Sequence, residues 1–157
     1  MSNDNKAAEA KGGTALAEKV AAFKLIARNS LRMALISPRQ ARISAYEDTL
    51  ASLAETKKQV ELDLTVENYE IGTLDANHPL YEKKKAAKEE TVKFLNERLE
   101  SIAKQVEDTN KLITEQNEAI AKIESGETKV SKDELNALVD EMIRADAVGQ
   151  ATTCSVC

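Results

Sequence analysis

Apolar residues recur at alternating steps of three and four along two successive stretches of this chain, and a single break separates them. The first series is Ile43, Tyr46, Leu50, Leu53, Val60, Leu64 and Ile71; the second is Val92, Leu95, Leu99, Ile102, Val106, Ile113, Ile120 and Ile123. Side chains at that spacing form one stripe along a helix, and the stripe must be covered by another apolar surface. The break at residues 72–78 is short and rich in turn formers, so the two stripes can cover each other only by folding back. The pattern predicts an all-α chain built on a long antiparallel helical hairpin of coiled-coil type.

Composition agrees with long helices and a thin core. Two Pro and five Gly interrupt 157 residues, there is no Trp, and aromatics make up 3%. The length fits one domain. No apolar run approaches the roughly 18 residues of a membrane span, and the start MSNDNKAAEAKGG lacks the order of a secretory signal. A soluble cytoplasmic protein starting near Met1 is therefore expected. The net charge of −5 is uneven: residues 1–42 carry eight Lys/Arg and three Asp/Glu, leaving fourteen and twenty-four for the remainder, or +5 against −10.

Punctuation divides the chain. Residues 1–13 end in Gly12-Gly13 and read as a flexible arm, residues 14–149 as the helical domain, and residues 150–157 as a solvated tail. Thr14 is placed to cap a first amphipathic helix ending near Ile36, and Ser37-Pro38 to open the second, which runs to Ile71. Gly72 can close that helix in the left-handed conformation, and Pro79 suits the first turn of the third, which extends to about Glu124. Ser131 and Glu134 form a capping box ahead of a short fourth helix, with Leu135, Leu138, Val139, Met142 and Ile143 on one face and Gly149 at its end.

The stripes also predict a pairing. If facing residues have numbers that add to 152, Val60 meets Val92, Leu53 meets Leu99 and Leu50 meets Ile102, while Glu67 meets Lys85 as a charged layer that holds alignment. On that pairing residues 115–124 outrun the second helix. Ile120 and Ile123 then need cover from the last helix, from the Ser37 turn or from a second copy of the chain.

Three further features are candidates for function. Lys24, Arg28 and Arg32 form a basic stripe on the first helix, opposite an apolar arc of Leu16, Val20, Phe23, Ile26, Ala27, Leu31, Met33 and Ala34. Such a stripe can be solvated, or can meet nucleic acid, anionic lipid or an acidic protein. Leu62, Val66 and Tyr69 lie off the stripe on the outward side of the second helix, a pattern typical of an interface. His78 belongs to turn and cap chemistry, because Pro79 stands where a calcium loop would need a ligand. Cys154 and Cys157 have Cys-x-x-Cys spacing and the outline of a prenylation box, but lack further zinc ligands; the reading is an unmodified tail.

Catalytic patterns are missing: no glycine-rich phosphate loop, nucleophile elbow or paired-histidine motif occurs. The sequence therefore implies a non-enzymatic scaffold or adaptor that associates with itself and with another protein, without cofactor, metal or small-molecule substrate. By architecture alone it resembles the small helical assembly factors of bacterial viruses, which implies a role in virion assembly. The alternative is charge-driven binding of nucleic acid or anionic membrane through the first helix.

Overall fold

In the computed structural model, residues 3–154 are described, with side chains over residues 13–149. The described residues form three helices and no strand: α1 (Asn3–Gly72), α2 (Tyr81–Glu124) and α3 (Lys132–Cys154). The chain is all-α.

The two helices expected on either side of Ser37 are one, because α1 runs unbroken through Pro38. A proline inside a helix loses one backbone hydrogen bond and crowds the preceding turn, at about 3 kcal/mol. Contacts on both sides offset this cost: Ile36 is buried, and the Arg39 guanidinium donates from Nη1 to Gln116 Oε1 at 3.2 Å. Nor does Thr14 start a helix, since α1 begins at Asn3 and includes most of the segment read as a flexible arm. In the same way α3 passes Gly149 and reaches Cys154, five residues into the segment read as a tail. A helical glycine costs only about 1 kcal/mol relative to alanine, too little to stop a helix among good formers such as Ala145, Ala147 and Ala151. Cys157 lies outside the described residues.

The reversal uses different chemistry from the glycine closure expected of it. Gly126, at φ 80°, is the positive-φ residue among those described, so Gly72 remains helical. At the end of α1 the Thr73 amide and hydroxyl both donate to the Tyr69 carbonyl, each at 3.1 Å. The Asp75 carboxylate accepts from the Asn77 amide at 2.9 Å, and His78 Nδ1 accepts from the Leu80 amide at 3.0 Å, capping the start of α2. His78 thus serves the turn.

Two compact units result. The first contains residues 1–38 and 119–157, and the second residues 39–118. In the second unit Val60, Leu95 and Ile102 form the buried core, with Leu53, Leu64, Leu99 and Val106 packed against it. Every α2 position from Tyr81 to Gln116 that follows the alternating 3-4 spacing is buried or half-buried, including Lys85 and Lys88. On α1, Lys57 is exposed and Thr56 is half-buried in its place, which keeps the spacing from Leu53 to Val60 at three and four. Thr109 is the buried polar residue of this face, and its hydroxyl donates to the Gln105 carbonyl of its own helix at 2.7 Å.

In the first unit Ala27, Ile36, Ile120, Ile123 and Val139 are buried. Lys19 pairs with Asp146 at 2.7 Å, tying α1 to α3. Of the covers expected for Ile120 and Ile123, the chain supplies its own. They are 9% and 2% exposed, within the same unit as the start of α1 and the whole of α3.

Candidate functional site

The charged layer expected between Glu67 and Lys85 is occupied by another lysine. Lys88 Nζ lies 3.4 Å from Glu67 Oε2 and also donates to Glu70. Lys85 instead reaches Glu89 of its own helix at 4.0 Å and lies over the Tyr81 ring, 5.9 Å from its centroid. Arg39 meets Gln116, where the expected pairing put Ile113. Both contacts are displaced by three residues in the same direction from the expected pairing. The expected alignment set Lys88 against Leu64, whereas Lys88 lies between two carboxylates.

Those carboxylates hold the Lys88 ammonium above the ordinary lysine value of 10.5. The Glu70 hydrogen bond contributes most, partial burial opposes it, and the charges of Glu67 and Glu70 and the Glu67 hydrogen bond add to it. A folded-state pKa above the unfolded one means that the stabilisation is complete below the unfolded value and disappears as pH rises through the folded one. The difference in thermal midpoint between the protein and Lys88→Met should stay constant through neutral and mildly alkaline pH. It should shrink only above about pH 10.5 in a calorimetric pH series.

Leu62, Val66 and Tyr69 are 56%, 46% and 73% exposed on α1. Their spacing of four and three places them along one line of the helix surface. Phe94 and Leu112 on α2 are also exposed. Sequence reasoning missed these two because they fall between the periodic positions and have no apolar neighbour at helical spacing.

The basic stripe is divided. Lys24 borders a depression with Gly13, Leu16, Ala17, Val20 and Ala21. Arg28 and Arg32 instead line a cavity of about 300 Å³ with Gly126, Lys129, Val130, Lys132 and Leu135. Lys129 and Lys132 were missed in the sequence. They lie roughly a hundred positions from Arg28, and no local pattern links them. The apolar arc is divided too: Ala27 is buried and Val20, Phe23 and Leu31 are half-buried, while Leu16, Ile26 and Met33 are exposed.

Among the described residues no cluster of three or more His, Cys, Asp or Glu is placed to hold a metal ion. No described helix is long and apolar enough to cross a membrane. No protein-family model matches the chain, and neither a curated protein nor a solved structure matches it significantly.

Proposed function

We propose that this chain is a non-enzymatic helical scaffold or adaptor, in which α1 and α2 form an antiparallel coiled-coil-like hairpin over residues 39–118 and its outward face mediates self-association. The contacts of Lys88 with Glu67 near the turn and of Arg39 with Gln116 far from it support the antiparallel arrangement. The line of Leu62, Val66 and Tyr69 is the observation that carries the interface. Among the described residues eight hydrophobic side chains are buried while twelve large ones are exposed, so a second copy has apolar surface to cover. These three residues are contiguous on one helix, and replacing them removes no packing from the buried core of the same unit.

Light scattering tests the reading. The protein should have a mass above one chain at micromolar concentration. Leu62→Gln, Val66→Gln and Tyr69→Gln together should weaken association about a hundredfold while leaving helicity unchanged, because three exposed side chains lose their apolar contact with the second copy and glutamine is a good helix former. A strict monomer through the micromolar range would refute self-association.

The second reading is charge-driven binding of nucleic acid or anionic membrane through Lys24, Arg28 and Arg32. The absence of any carboxylate partner for Arg28 and Arg32 among the described residues favours it. Steep weakening with salt, equal for all three cations, would distinguish it from the scaffold.

A further inference from the structure

We propose that the first unit contains a specific site for a phosphate or pyrophosphate group, formed by Arg28 and Arg32 of α1 together with Lys129 of the loop before α3 and Lys132 at its start. The four cations line one cavity of about 300 Å³, and no carboxylate lines it. The carboxylates nearest in sequence, Glu127, Asp133 and Glu134, are exposed and lie outside the cavity. None of the four cations has an ion pair or hydrogen bond among the described residues.

Four like charges held together without counter-charges repel one another, and a bound anion converts that repulsion into attraction. The loop after α2 lies close to the arginines of α1. Gly126, in the left-handed conformation, reverses the chain after α2, and the Thr128 amide donates back to the Lys122 carbonyl at 2.9 Å. A methyl group placed on Gly126 would lie 3.6 Å from Arg32 Nη2, which shows how closely this loop follows the arginine. Val130 and Leu135 are half-buried and form apolar walls, and such walls strengthen the field of the cations.

Lys132, which lines the cavity, is also the first residue of α3. The Ser131 hydroxyl accepts from the Glu134 amide at 3.4 Å and its carbonyl accepts from the Leu135 amide at 3.0 Å, which is the capping half that the sequence predicts. The amides of the first turn ahead of these have no intrahelical carbonyl to bond, and the helix dipole makes that end attractive to an anion. Arg28 and Arg32 supply planar forks that can each grip two phosphate oxygens, and the lysines supply mobile point charges.

Geometry decides between a small phosphate and a polymer. A nucleic acid backbone or a lipid surface is followed by cations spread along a line or a plane. Here Lys24, which continues the arginine line on α1, belongs to a different depression, while the two lysines that join the arginines come from another part of the chain. The cavity volume is at the small end of ligand sites and admits a phosphate or pyrophosphate group. This site shares no residue with the self-association strip, so the two proposals can fail separately.

Titration calorimetry with sodium pyrophosphate and with orthophosphate, at constant ionic strength on the full chain, tests the site. One pyrophosphate per chain should bind, more tightly than orthophosphate. Both Arg28→Gln with Arg32→Gln and Lys129→Gln with Lys132→Gln should weaken it about tenfold or more, and Lys24→Gln should leave it unchanged. If the arginine variant fails to fold, the loop lysine variant, altered only at exposed side chains, still decides the question. Absence of pyrophosphate binding, or equal loss in Lys24→Gln, overturns the proposal. Binding of duplex oligonucleotide or phosphatidic acid vesicles without pyrophosphate binding overturns it as well, in favour of a macromolecular polyanion.

Discussion

Ile102→Ala should lower the unfolding free energy by about 3 kcal/mol, measured by urea denaturation followed through helical circular dichroism. Ile102 is 4% exposed and shares its cluster with Val60 and Leu95. Truncating a large buried aliphatic side chain loses both transfer free energy and the contacts around the cavity it leaves. With only three buried members, this core has few neighbours that can close such a cavity. Leu62→Ala, at a residue of the same unit that is more than half exposed, should change the same measurement by less than about 0.5 kcal/mol. Equal effects at the two positions would show that the core lies elsewhere.

Ile123→Ala should be comparably damaging, by about 3 kcal/mol, and should act on folding rather than assembly. Ile123 is 2% exposed inside the first unit, among Ala27, Ile36, Ile120 and Val139. If the chain covers Ile123 itself, the truncated variant should unfold at lower urea and keep the molar mass of the parent protein. A variant that keeps its stability but loses mass in light scattering would return Ile123 to an intermolecular interface. The measurement thus separates the two kinds of cover that the sequence pattern leaves open, the chain itself and a second copy.

That contrast shows how far the residues speak for themselves. The alternating spacing of Leu53, Val60, Leu95, Leu99, Ile102 and Val106 identified the side chains that pack in the second unit, because a helix places such positions on one face whatever surrounds it. The same pattern could not say whether Glu67 meets Lys85 or Lys88. A shift of one layer keeps apolar residues facing apolar residues, so the choice rests on which lysine reaches two carboxylates, Glu67 and Glu70. Local signals also overstated punctuation. Pro38, Gly13 and Gly149 each read as a boundary, yet helix passes through all three, whereas at Gly72 the helix does end, one residue beyond the expected Ile71.

Of the candidate sites, the outward line of Leu62, Val66 and Tyr69 was legible because it lies within eight residues of one helix, and helical geometry alone sets its direction. The basic cavity was half legible. Arg28 and Arg32 stood out as a stripe, but Lys129 and Lys132 join them only because the chain returns beside α1 after Gly126. The sequence by itself determined that this protein is helical, which faces of its helices are apolar, and where the main reversal falls, since each of these follows from spacing within a few turns. Tertiary structure alone decided the helix alignment, the burial of Ile120 and Ile123, and the meeting of the four cations. These depend on residues far apart in the chain, and their energies appear only when the segments touch.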